Sequence, residues 1–343
     1  MLRLVLLALV VALPAAAQTI DARRAAVDAT LNQAAACSGL GDAYWEIGDV
    51  TGRLAWGQRG QGITADKPIG IASASKWMWG AYVAERRGGT LSGDDITALT
   101  MSTGYHGENP LNCRGTVAEC RDKGFDPALV GKFHYDSAHS QRQAVAMGLG
   151  GLDGPGLANE MRKVLGSDLA FTMRSPQPAG GVIMAPSAYG VFLRKLAAGQ
   201  LRLSGLLASH AVCTLPGTCP TAVKSPFDRN WHYSLHHWVE DAAGDDGAVS
   251  SAGAFGFYPW ISGDHATWGL LARHDVAKHA GRASAVCGAL MRKAWFAAAP
   301  QTGGAVASET GTPRVYSGST TTTGERAHPI RDAIRQRMLE RGR

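Results

Sequence analysis

Apolar positions along the chain follow two rhythms. Residues 25–36 carry them at the three-to-four spacing of an amphipathic helix, and so do 137–147, 157–165, 186–198 and 280–296. Another helix is expected from Ser73 to the Glu85-Arg86-Arg87 run, where Gly88-Gly89 stops it. By contrast, Asp42-Ala-Tyr-Trp-Glu-Ile-Gly-Asp49 alternates with period two. Gly52 then supplies a turn and Leu54-Ala-Trp56 follows, which predicts a strand pair. Residues 253–261 and 265–272 read as two further apolar strands around Ser262-Gly263-Asp264. The order is helix, strands, a mostly helical middle, strands, helix. It predicts an α+β fold: an antiparallel sheet flanked by N- and C-terminal helices, with an inserted helical region over about 90–245.

The two ends differ from this body. Arg3, the apolar run from Leu4 to Leu13 and Ala15-Ala16-Ala17 have the order of a secretory signal peptide, expected over 1–17. The folded domain is then 18–297. From 298 to 343 the chain turns to Gly, Ser and Thr, including Ser319-Thr-Thr-Thr-Thr-Gly324, and ends in a basic stretch, which reads as a disordered tail. No later apolar run approaches the ~18 residues of a membrane helix, so no membrane span is expected in the mature form, and the expected location is periplasmic or secreted. Over the whole 343 residues, a 45% hydrophobic and 18% charged composition excludes general disorder.

The formal charge of +6 changes little. Arg3 belongs to the leader, and the stretch from 300 onward holds seven Arg against four acids. What remains is close to neutral, which excludes a nucleic-acid footprint. The six cysteines suit an exported chain. Cys113 with Cys120 and Cys213 with Cys219 make natural short clips. That leaves Cys37 with Cys287, a pairing that requires the terminal helices to lie side by side. Zinc is the rival use of these thiols, but the chain has no CxxC.

The candidate chemistry begins at Ser73-Ala74-Ser75-Lys76, an S-x-x-K at a helix start. One helical turn puts the Lys76 amine beside the Ser73 hydroxyl. The helix N-terminus favours a developing alkoxide, and a desolvated lysine loses its proton readily. Taken alone, the same pattern describes an N-capping serine with a surface lysine. Farther on stand Leu99-Thr-Met-Ser-Thr103-Gly104, Phe133-His-Tyr135-Asp136-Ser137, Ala179-Gly180-Gly181 and Ser251-Ala252-Gly253-Ala254. In this order, over about 25–297, the set resembles the serine β-lactamase and penicillin-binding protein superfamily. The likeness is greatest to its class C-like branch, which includes esterases, D-amino-acid peptidases and hydrolases of 6-aminohexanoate oligomers.

That resemblance implies a serine hydrolase acting on ester or amide bonds of small substrates through an acyl-enzyme, with no cofactor and no metal. Ser73 is the implied nucleophile, Lys76 the group that eases its deprotonation, and Tyr135 the general base and then acid. The backbone N–H groups of Ser73 and Ala254 are the implied oxyanion hole. Ser137, Ser251 and Gly253 are expected at the substrate, with Gly253 letting a strand approach it closely. Two departures stand out. Ser137 replaces the family's Asn, and Ser251 stands where the family has Lys or His. Losing that cation weighs against substrates with an adjacent carboxylate. A β-lactamase or DD-peptidase is therefore the alternative reading, and a binding or sensor protein without turnover is another. Outside the motifs, His232, His236 and His237 invite a metal reading, but the alternation around Tyr233 and Trp238 fits strand and loop better. Trp77 and Trp79 are read as core.

Overall fold

The computed structural model describes residues 19–107, 112–121 and 124–303. The expected signal peptide and the tail beyond 303 lie outside the described residues.

An eight-stranded antiparallel sheet organises the chain. Its spatial order is Gly52–Arg59, Ala43–Asp49, Thr267–Ala272, Tyr258–Ile261, Val249–Ser250, His237–Val239, His232–Ser234 and Val212–Cys213. The first and last parts of the body therefore meet in the second and third strands of the sheet, where Tyr44 pairs with Ala272 and Asp49 with Thr267. Both faces are covered. Tyr44, Trp268 and Leu270 face one core, which holds the helices Ser75–Arg86, Gly154–Leu165 and Pro186–Ala197. Trp45, Ile47 and Leu271 face the other, with the terminal helices Ile20–Gln33 and Ala280–Ala297. Covering on both sides explains why Ala43 to Gly48 are all buried although their side chains alternate.

The fold class agrees with the sequence reading, and the differences are local. The 90–245 stretch is not mostly helical. Alongside its helices it contains several short strands, and His232–Ser234 and His237–Val239 extend the main sheet. Aromatic residues at 231, 233 and 238 account for this, since they pack as one cluster against the sheet face. The strand expected from 253 begins only at Tyr258. Ser251 N–H still donates to the Pro259 carbonyl (3.2 Å) and Gly253 N–H to that of Phe257 (2.7 Å), after which a turn through Gly256 at φ +93° breaks the strand. Within the first residues of the expected tail, the Gln301 N–H donates to the buried Thr30 hydroxyl at 2.8 Å.

All six cysteines are disulfide-bonded, as Cys37–Cys287, Cys113–Cys120 and Cys213–Cys219. The first ties the short Ala35–Ser38 helix to Ala280–Ala297 across a sequence separation of 250 residues. No helix among the described residues is long and apolar enough to cross a membrane.

Candidate active site

Ser73 sits in a 3-10 turn, Ala72–Ala74, that feeds the Ser75–Arg86 helix. Ala72 is held at φ +47°, a left-handed conformation that costs a non-glycine residue about 1–3 kcal/mol. The surroundings enforce it. Ile71 N–H donates to the Val182 carbonyl (3.1 Å), and Val182 N–H donates back to the Ser75 hydroxyl (3.3 Å). Tyr189 Oη donates to the Ala74 carbonyl at 2.9 Å. Ser73 itself remains partly exposed.

Lys76 is 1% exposed. Its Nζ donates to Ser73 Oγ and to the Ala179 carbonyl, each at 3.0 Å. Burial lowers its pKa from 10.5 to about 7, against an opposing pull from the Asp136 charge. The same amine lies over the Tyr135 ring, 4.9 Å from its centroid. Burial in turn pushes the Tyr135 phenol up to about 12, while its interaction with the Ser73 hydroxyl pulls it down. The Tyr135 ring stacks on Trp238 (5.5 Å) and meets the edge of Tyr233 (5.8 Å). Two stretches far apart in sequence, one carrying Ser73 and Lys76 and the other Tyr135, thus place a hydroxyl, an amine and a phenol together.

The remaining expected residues fall around this group in different ways. Ser251 is buried, and its hydroxyl donates to the Ser73 carbonyl at 3.3 Å, so it braces the turn that carries Ser73. Gly253 is packed against that turn too. A Cβ there would overlap the Ile71 carbonyl oxygen and lie 3.1 Å from its carbon. One close approach that needs a glycine is therefore to the chain's own backbone. Ala254 follows and is exposed. Ser137, half-buried, precedes the Ala138–Ala144 helix two residues after Tyr135.

Sequence reasoning missed the Ala179 carbonyl as a partner for Lys76, the Asp136 charge, and Trp238 as the support for Tyr135. The glycines after Ala179 were the available signal for the first, because Gly181 packs where a Cβ would sit 3.0 Å from the Gln177 carbonyl. The histidines take separate partners. His232 Nδ1 pairs with Asp241 (2.8 Å), and His236 contacts Ser140 Oγ (2.6 Å) and the Leu99 carbonyl (2.9 Å). His237 accepts from Ala208 N–H (3.0 Å) and stacks on the fully buried Trp77. Trp79 is equally buried, with its indole N–H on Gln143 at 2.9 Å. No group of His, Cys, Asp or Glu among the described residues is arranged to hold a metal ion.

No family model and no curated protein matches the sequence. Solved structures do match in shape. A D-amino acid amidase from Ochrobactrum anthropi aligns with a TM-score of 0.57 at 11% identity, over 81% of this chain and 98% of its own. The chain has the fold of the serine β-lactamases and penicillin-binding proteins. A candidate β-lactamase from Bacteroides dorei aligns at TM-score 0.55 and 20% identity, over 74% of this chain and 93% of its own. The octameric penicillin-binding protein homologue of Pyrococcus abyssi also reaches 0.55, at 13% identity, over 76% of this chain and 74% of its own. On this β-lactamase-type scaffold, the turn carrying Ser73 packs against the hairpin that contains Gly253.

Proposed function

We propose that the chain is an exported serine hydrolase that cleaves ester or amide bonds of small substrates through an acyl-enzyme on Ser73. The observation that carries this reading is the Lys76 amine, buried, lowered to about pKa 7 and 3.0 Å from the Ser73 hydroxyl. A neutral amine at that distance, and not the Tyr135 phenol pushed up to about 12, can take the hydroxyl proton as Ser73 attacks the acyl carbon. Tyr135 then relays that proton to the leaving group, and the Tyr135–Lys76 pair activates the water that releases the acid. The N–H groups of Ser73 and Ala254 bind the oxyanion. The packing of Gly253 against Ile71 supports this, since it sets the two segments side by side. Export is supported by the three disulfides.

Ser251 decides between substrate classes. It offers no positive charge, and its hydroxyl is engaged by the Ser73 carbonyl. Esters, and amides without a neighbouring carboxylate, are thus favoured over β-lactams and peptide C-termini. The test is a panel of short-chain nitrophenyl esters, D-amino-acid amides and nitrocefin, run with fluorophosphonate labelling on wild type and Ser73→Ala. Turnover of esters or amides, with both turnover and labelling lost in Ser73→Ala, is the expected result. Full activity in Ser73→Ala would refute the assignment. Nitrocefin turnover alone would favour the β-lactamase reading, and ligand-dependent stabilisation without product would favour the sensor reading.

A further inference from the structure

A concavity of about 570 Å³ opens between the Ala43–Asp49/Gly52–Arg59 hairpin and the Pro186–Ala197 helix. None of the Ser73-site residues lines it. Its walls include Glu46, Arg53, Trp56, Asp66 and Arg194. Glu46 is the anomaly. It is 1% exposed, in a strand whose neighbours are buried and apolar, where a carboxyl is costly unless it is used. Its Oε2 accepts from Tyr44 Oη (2.7 Å) and lies 3.6 Å from Arg53 Nη1. Its Oε1 accepts no hydrogen bond among the described residues. Gly190 makes room for that oxygen, because a Cβ there would overlap it. A glycine inside a helix costs about 1 kcal/mol relative to alanine, so the place that the Glu46 carboxyl occupies is kept at some cost to the helix.

The other groups complete a pattern of charge. Asp66 lies near enough for its charge to help raise the Glu46 pKa to about 7, after burial as the main cause. It accepts from the Ser187 hydroxyl at 2.9 Å and forms no ion pair among the described residues. Arg194 forms none either. The Arg53 guanidinium lies over Trp56, 5.8 Å from the ring centroid, and Trp56 is 44% exposed. An open carboxyl oxygen beside a second carboxylate suits an ammonium group. Two arginines suit a carboxylate, and an exposed indole suits an apolar side chain.

We propose that this cavity binds a small zwitterion, an amino acid or a short peptide, with its ammonium on Glu46 and Asp66, its carboxylate on Arg53 and Arg194, and its side chain against Trp56. The proposal is independent of the hydrolase reading. Calorimetric titration of the full chain would use L-phenylalanine and the dipeptide Phe-Gly, with phenethylamine and 3-phenylpropionate as analogues lacking one charge each. One zwitterion or both should bind, which separates free amino acid from peptide as the source. The single-charge analogues should bind at least about tenfold more weakly, as should either zwitterion to Arg194→Gln or Glu46→Gln. Binding should survive in Ser73→Ala. Arg194 is only half-buried, so its variant keeps the test valid if Glu46→Gln folds poorly. The proposal is overturned by no binding to natively folded protein, by equal affinity for the single-charge analogues, or by undiminished affinity in Arg194→Gln.

Discussion

Gly253→Ala tests the reasoning about the active site most directly. The added methyl would overlap the Ile71 carbonyl oxygen and come 3.1 Å from Ile71 C and 3.4 Å from Ala74 N. On the far side the hairpin cannot retreat, because a Cβ on Gly281 of the C-terminal helix would already be 2.6 Å from the Gly253 carbonyl oxygen. Carbon atoms pack best at about 3.5–4.0 Å, so relief requires the hairpin and the Ser73 turn to part by about 1 Å. Overpacking of this kind costs about 1–3 kcal/mol. Gly253 does not have a positive φ, so alanine also restricts the unfolded chain and returns about 0.4–1 kcal/mol. The overlap wins, for a net loss of about 1–2 kcal/mol and a Tm lower by about 2–8 °C. Activity should suffer more, because a shift of about 1 Å between the Ser73 and Ala254 N–H groups lowers kcat/KM by about 10²-fold. Calorimetry and nitrophenyl-ester kinetics measure the two effects. Gly93→Ala is the control, since a Cβ there meets nothing within 4 Å. Wild-type kcat/KM in Gly253→Ala, or a raised Tm, would refute the account of this contact.

Four further predictions rest on other groups of the molecule. Lys76 has a folded pKa of about 7 against an ordinary 10.5, so between these values the unfolded chain binds more protons and stability rises with pH. Thermal melts from about pH 6 to 9 should show that rise in wild type but not in Lys76→Met. The hydrolytic kcat/KM of wild type should climb through about pH 7 as the neutral amine forms. Replacing Cys37 and Cys287 by Ser frees a loop of 250 residues and should cost about 2–5 kcal/mol in urea denaturation, with the m-value showing whether the denatured state expands. Glu240→Leu removes a carboxylate 2.6 Å from the fully buried Arg292 guanidinium, which keeps Asp246 at 2.7 Å and the Tyr258 hydroxyl at 2.7 Å. Losing one of its two carboxylate partners should cost about 3 kcal/mol, read as a lower urea midpoint, and an unchanged midpoint would contradict the paired-charge argument.

Much of this protein is written in short-range pattern. Helical spacing located the Ser75–Arg86, Gly154–Leu165 and Pro186–Ala197 helices, and period-two alternation located the Ala43–Asp49 strand with its partner. The S-x-x-K spacing set Lys76 beside Ser73, because one helical turn fixes that distance whatever the rest of the chain does. Cysteine spacing pointed to the two short clips and left Cys37 for Cys287. Folding settled the contacts that join distant segments. Local sequence carries no information on what packs against the far side of a residue. So the Ser251 hydroxyl turned to the Ser73 carbonyl, and Gly253 made space for Ile71. The Ala179 carbonyl became the second partner of Lys76, across 103 positions. The Glu46 cavity is the clearest case. In the sequence Glu46 is one polar residue of an alternating strand. Its burial, its open oxygen and the room left by Gly190 exist only once the helix lies across the sheet.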